Sequence, residues 1–217
     1  MAKTKREASS NKVYAALKGM IIDYRFQPGV RLKVEEIMKE LGVSRTPVLE
    51  AIRRLEHEGL LKNIPNRGVF MVKMTLEKSF ELFQVRGTLE TLVGKLAAEN
   101  IDNGTITKMA KCLEKQLEVV EKGDLIGYSQ VDFDFHSMIY KATRNSFLEE
   151  LLDSIKAKMR PFDIHLKPIL ALLYQDHMKI FEALRSKNPE AAEKAFAQHN
   201  EKIINRIKEQ IVADLAF

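Results

Sequence analysis

Two short helical stripes separated by a single glycine constrain the fold of this chain more than any other feature. Val34, Ile37, Met38 and Leu41 recur at the spacing of one buried helix face, and Gly42 follows where a left-handed residue ends a helix. Ser44 then stands at an N-cap position, and Pro47 falls in the first turn, where a missing N–H costs little. Val48, Ala51, Ile52 and Leu55 make the second stripe. Upstream, Val13, Leu17, Met20, Ile21 and Tyr24 predict an earlier helix that Gln27-Pro28-Gly29 ends. Downstream, Gly59 breaks the pattern. Leu60-Leu61 and Val69-Phe70-Met71-Val72 flank Pro65-Asn66-Arg67-Gly68, which predicts a hairpin with a basic tip.

Helix, glycine turn, helix and basic-tipped hairpin together are the layout of a winged helix-turn-helix, whose second helix enters the major groove of DNA by its N-terminal end. Ser44, Arg45 and Thr46 lie at that end. Arg45 can offer two parallel donors to guanine, while Ser44 and Thr46 reach phosphates or base edges. Asn66 and Arg67 on the wing suit a narrow minor groove, and Arg31 and Arg53 complete the candidate contact set. Charge agrees: residues 1–72 hold 14 Lys and Arg against 8 Asp and Glu, whereas the rest of the chain holds 21 against 22. A basic module beside a neutral one points to a polyanion partner for the first. The same residues also fit a three-helix interaction domain whose charges are merely solvated.

From Thr75 onward the pattern is helical throughout, in about six segments: 75–100, 105–122, 124–142, 146–160, 168–186 and 189–213. Thr75, Thr105 and Asp124 are the expected N-caps, and Asn103-Gly104, Lys122-Gly123 and Asn188-Pro189 the expected breaks. The stripe Leu82, Val85, Leu89, Leu92, Leu96 predicts an antiparallel bundle. The expected fold class is therefore mainly α, with a winged helix-turn-helix domain over 1–74 and an all-α bundle over 75–217. Within the bundle, Asp132 and His136 are four apart and share a face. His177 and His199 each lie ten residues from the turn at 187–189, so a helical hairpin sets both roughly 15 Å from that turn and level with each other. One carboxylate and three imidazoles suit zinc, nickel or another divalent first-row metal. Histidines on helix faces also serve as surface or hydrogen-bonded core residues.

Gln27-Pro28-Gly29-Val30-Arg31-Leu32, Leu41-Gly42-Val43-Ser44-Arg45-Thr46-Pro47-Val48, Leu55-Glu56-His57-Glu58-Gly59-Leu60 and Arg67-Gly68-Val69-Phe70 closely resemble the DNA-binding domain of GntR-family regulators. Leu49 stands where that family usually carries an arginine that helps read the operator; a leucine can only touch a thymine methyl. Val131-Asp132-Phe133-Asp134-Phe135-His136, Ala142-Thr143-Arg144-Asn145, Asp176-His177-Met178 and Ala197-Gln198-His199 resemble the FCD effector domain of the FadR subfamily, in its shorter, VanR-like six-helix variant. The resemblance implies a divalent metal on Asp132, His136, His177 and His199. It also implies a small organic acid as effector, with Arg86 pairing its carboxylate, and a homodimer on double-stranded operator DNA, most often as a repressor; Arg86 also reads as a surface arginine paired with Glu81 or Glu90. Fatty-acyl-responsive members lack those histidines and match less well. Arg160 and Tyr128 are weaker candidates for the effector cavity, and His57 and His165 read as structural or surface residues. Cys112 reads as a small buried apolar residue.

Two other classes draw on the same residues: a regulator for which the ion itself is the signal, and a metal-dependent hydrolase. No motif positions a separate general base, so an enzyme is not expected. One cysteine excludes an internal disulfide framework. No apolar run reaches the length of a membrane span, and the first ten residues, Met1 to Ser10, lack the apolar core of a signal peptide, so a cytoplasmic protein without a membrane partner is expected.

Overall fold

The computed structural model describes residues 2–23, 25–159 and 166–215, which leaves Tyr24, Arg160 and His165 outside the described residues. Two compact units result, Met1–Met74 and Thr75–Phe217.

In the first unit, α1 (Ala2–Ile22) is followed by β1 (Arg31–Leu32), α2 (Val34–Leu41), α3 (Arg45–His57), β2 (Leu61–Ile64) and β3 (Gly68–Met71). Val13, Leu17, Met20 and Ile21 of α1 are buried with Ile37 of α2 and Val48, Ala51, Ile52 and Leu55 of α3, so the stripes meet in one core. Gly42 adopts φ 62° and sends its N–H back to Met38 O, and Val43 N bonds the same carbonyl at 3.1 Å. That left-handed stop ends α2 where the stripe does. The hairpin β2–β3 turns on Pro65 and Asn66, with Arg67 N bonded to Ile64 O at 3.0 Å and Asn66 at φ 61°. Asparagine is among the few side chains that accept this conformation. The sheet order is β1-β3-β2, all antiparallel, with Leu32 opposite Val69 and Leu61 opposite Met71. At two residues, β1 was too short to show as alternation. Tyr14 fastens α1 to the end of α3: its hydroxyl donates to Glu58, Lys18 Nζ reaches the same carboxylate at 2.8 Å, and the Arg54 guanidinium lies 3.7 Å from the Tyr14 ring.

The second unit is a bundle of α4 (Leu76–Asn100), α5 (Asn103–Glu121), α6 (Leu125–Ala142), α7 (Ser146–Met159), α8 (Leu170–Arg185) and α9 (Pro189–Leu215). Thr75 and Asp124 cap α4 and α6 through their side chains. Helix α5 starts earlier than Thr105 predicts, because Asp102 takes the cap: its Oδ1 accepts from Thr105 N at 2.8 Å and its Oδ2 from Thr105 Oγ1 at 3.1 Å. The carboxylate outcompetes the hydroxyl as acceptor, and Asn103-Gly104 become the first turn. The α4 stripe also needs correction. Val85 and Leu92 are about half exposed, and the inward face carries Phe83, Arg86, Glu90, Val93, Gly94 and Ala97. Gly94 sits so close to α9 that a Cβ there would lie 2.8 Å from the Ala192 backbone. The core gathers Val93, Met109, Phe135, Ile139, Leu152, Ile180, Leu184 and Phe196 from all six helices.

Candidate functional site

Two places collect the chemistry. In the first unit, Ser44 occupies the N-cap position of α3 yet makes no side-chain cap bond, so its hydroxyl is not consumed by the helix. Arg31, Ser44, Arg45, Thr46, Arg53, Asn66 and Arg67 are all exposed, as is His57 at the far end of α3. Arg45 Nη1 rests on Glu35 Oε1 at 3.3 Å, both side chains largely in solvent, so little free energy holds it there. Leu49 lies one turn from Arg45 and one from Arg53, in the middle of the same face. The Arg31 guanidinium lies against Gly68, at φ 101°, where a Cβ would come within 2.9 Å of Nε. Arg31 is a flexible side chain that can move aside, so it is the positive φ, which other residues rarely adopt, that favours glycine there.

In the second unit, His136 of α6, His177 of α8 and His199 of α9 are buried, with ligand-capable atoms all within 4.8 Å of one another. His136 Nε2 and His177 Nε2 are 3.3 Å apart, and Asp132 Oδ1 lies 3.7 and 3.5 Å from them. Neighbours set the tautomers. Glu90 Oε1 faces His136 Nδ1 at 2.9 Å and Gln116 Oε1 faces His177 Nδ1 at 2.8 Å. Both oxygens only accept, so each Nδ1 carries the proton and each Nε2 offers a lone pair. His199 has neither ring nitrogen hydrogen-bonded, though both are buried. Burial, helped by the charge of Lys156, holds His136 at about 3; burial, helped by His136, holds His199 at about 3. Burial and His199 push His177 well below its ordinary value too. All three are neutral at neutral pH, the form in which an imidazole can bind a metal.

The carboxylates around them stay ionised. Burial opposes the charge on Asp132, but Lys156 and the histidines override it and keep the group well below the usual range. Lys156 Nζ bonds Asp132 Oδ2 directly and its carbonyl at 3.2 Å. Burial likewise opposes the charge on Glu90, and Arg86 with His136 outweighs it. Arg86 Nη2 reaches Glu90 Oε1 at 3.0 Å, Asn200 Nδ2 reaches Oε2 at 2.8 Å, and the Tyr140 hydroxyl donates to Oε1. Arg86 is 4% exposed, not a surface arginine, and its Nε has no hydrogen-bond partner. Arg86, Tyr128, Asp132, Lys156 and His199 line a cavity of about 20 Å³. Cys112 is free and buried, and burial pushes its thiol up to about 12, so it is no reactive thiolate.

Gln116, Lys156 and Asn200 were not singled out by the sequence reading, and Glu90 was read only as one of two surface partners for Arg86. Two of them left a signal: Lys156 interrupts the stripe Leu148, Leu152, Ile155, Met159, and Gln116 ends the stripe Met109, Cys112, Leu113. A polar residue inside an apolar stripe points inward with it.

Comparison with known proteins accounts for this pairing of units. Residues 9–71 match the family described as bacterial regulatory proteins, gntR family, and residues 81–202 match the FCD domain. The HTH-type transcriptional regulator YdhC of Bacillus subtilis strain 168 is 32% identical over 86% of this chain and 85% of its own. The chain belongs to the GntR family, in its FCD-domain branch. A second relative, the HTH-type transcriptional repressor RspR of Escherichia coli K12, is 26% identical over 92% of this chain and 89% of its own. The solved structure of E. coli McbR/YncC shares the fold, with TM-score 0.82 over 94% of this chain and 98% of that one at 24% identity. This GntR-family chain is thus a DNA-binding transcriptional regulator and not an enzyme. Among the described residues, no helix is long and apolar enough to cross a membrane.

Proposed function

We propose that this GntR-family regulator senses a small organic acid at a divalent metal held by His136, His177, His199 and Asp132. One observation carries the reading: His199 is buried with both nitrogens unpartnered, beside two Nε2 lone pairs 3.3 Å apart. Orphaned buried polar atoms are costly, and a metal is what three neutral imidazoles and a carboxylate satisfy together. The spacings of 3.3, 3.5 and 3.7 Å are close to the ~3.3 Å edge of a tetrahedron with zinc–nitrogen bonds. Zinc or nickel fits this donor set. A bound ion supplies a Lewis-acidic seat for a carboxylate; Arg86, with its unpartnered Nε, lines the same cavity and holds the acid in place.

Residues 1–74 then form the operator-binding domain. Arg45, Ser44 and Thr46 read the major groove, Asn66 and Arg67 contact the wing's groove, and Arg31 and Arg53 hold phosphates. Residues 75–217 form the effector and dimerisation domain. A homodimer sets two recognition helices on a pseudo-palindromic operator, and the acid shifts the equilibrium between two arrangements by its differential affinity for them. Repression, the activity in RspR's name, is the expected sign.

Metal analysis of the untagged protein beside a His136→Ala/His177→Ala variant tests the reading. About one ion per chain, lost in the variant, is the expected result. No ion in either, after incubation with zinc or nickel, removes the metal from the mechanism and leaves the DNA-binding assignment standing. The size of the cavity, about 20 Å³, favours a second reading in which the ion alone is the signal. Operator binding titrated with metal in the absence of any acid separates the two.

A further inference from the structure

All the apolar side chains of α3 but one belong to the core of the first unit. Pro47, Val48, Ala51, Ile52 and Leu55 are buried, and Leu49 stays half-buried. It stands four residues after Arg45 and four before Arg53, so the three share one ridge of the helix. Both arginines are exposed. Arg45 has only the solvent-exposed contact with Glu35 at 3.3 Å, and Arg53 has no ion pair among the described residues. The ridge is thus a cationic surface with a hydrocarbon side chain at its centre. Leu49 also lies near the N-terminal end of α3, the end that a helix of this kind sets against base edges. One turn from Arg45 is roughly 6 Å along the helix axis, which is about two base steps of a duplex.

A leucine at that place neither donates nor accepts a hydrogen bond. Laid against guanine N7 and O6, adenine N7 and N6 or cytosine N4, it takes water from those groups and offers them no partner. Thymine is the base whose major-groove edge carries a hydrocarbon, the C5-methyl group. Arginines engaged on either side exclude water between them, so a leucine meeting that methyl buries apolar surface on both molecules. Resting on the operator-binding reading above, we infer that Leu49 is a specificity-determining residue: it selects a thymine within about two base pairs of the guanine taken by Arg45, in each half-site of the operator. The preference comes as much from rejecting the polar edges of the other bases as from attracting the methyl.

The test begins by selecting duplexes from a random-sequence library with the whole chain. The enriched half-site is expected to hold a guanine and, within about two base pairs of it, a thymine on one strand or the other. Deoxyuridine then replaces each such thymine, which removes the methyl and keeps every hydrogen-bonding group. Affinity read by fluorescence anisotropy is expected to fall about fourfold for each half-site altered, the ratio that burying one methyl group supplies. Leu49→Ala is expected to bind the thymine and deoxyuridine duplexes equally while keeping its preference for the guanine. Leu49→Gln, which keeps a stem of similar reach with a polar end, is expected to lose the same discrimination, and it decides the matter should Leu49→Ala not fold. A leucine that only supported the fold would weaken binding to both duplexes alike and leave their ratio as in the wild type. That result overturns the inference, as does a wild-type affinity indifferent to deoxyuridine or a selected half-site without the thymine. If no sequence is enriched at all, the operator-binding reading itself falls, so the two failures are distinguishable.

Discussion

At the residue scale, His199 and Arg86 keep buried nitrogens without a hydrogen-bond partner, whereas other charged groups are fully paired and serve the fold. Glu58 belongs to the second kind. Burial opposes its charge, and hydrogen bonds from Lys18 and Tyr14 override that and lower its pKa below the ordinary 4.5. A carboxylate lowered in this way contributes stability that is whole above about pH 4.5 and is lost as pH falls through the folded value. Glu58→Gln is therefore expected to cost the first unit about 1 kcal/mol at pH 7, and the gap to wild type should close as pH falls below the ordinary 4.5. Urea unfolding at stepped pH measures it, and a gap independent of pH would refute the assignment. Legibility divides along the same line. Asp132 and His136 could be read from a spacing of four, and His177 and His199 from equal distances to one turn. Asn200 could not, and Glu90 could be read only as far as Arg86, four residues away in its own helix, because its bonds to Tyr140 and Asn200 form only after three helices have packed.

At the scale of elements, helices were readable by period and less readable by direction. The leucine stripe of α4 obeys the helical period and still lies partly in solvent, because the opposite face is reserved for Arg86 and Glu90. Hydrophobicity marks the inner face of a helix only where the interior is apolar. The contact between α4 and α9 shows the same priority of packing over propensity. Helix propensity alone favours Gly94→Ala by about 1 kcal/mol, yet a methyl there meets Ala192 backbone at 2.8 Å, and backbone cannot swing aside. The overpacking term wins. Gly94→Ala is expected to destabilise the helical unit by about 1–2 kcal/mol net, read as a lower midpoint of its thermal transition. A stabilised variant would mean that α4 and α9 are free to separate. The helix ends tell a smaller version of this story, since Asp102 captured the cap that Thr105 was expected to hold.

At the scale of the whole molecule, the division of charge becomes a division of labour. The basic residues of the first unit predict operator affinity that falls steeply with salt, with a log–log slope of about −0.9 for each phosphate neutralised. Arg53→Ala should reduce that slope by about one and weaken operator and scrambled duplex alike, as fluorescence anisotropy across a salt series would show. A slope unchanged by the substitution would remove Arg53 from the phosphate contacts. The second unit follows a different rule. Arg86 and Glu90 come from α4, Gln116 from α5, Asp132, His136 and Tyr140 from α6, Lys156 from α7, His177 from α8, and His199 and Asn200 from α9. No fragment short of the whole bundle contains the site. A ligand seated there recognises the folded chain alone and stabilises it by mass action, about 2.7 kcal/mol at a hundredfold excess over its dissociation constant. Proteases that clear unfolded chains then remove the empty regulator faster than the occupied one. A signal read at such a site would set how many copies of the protein persist as well as what each copy does.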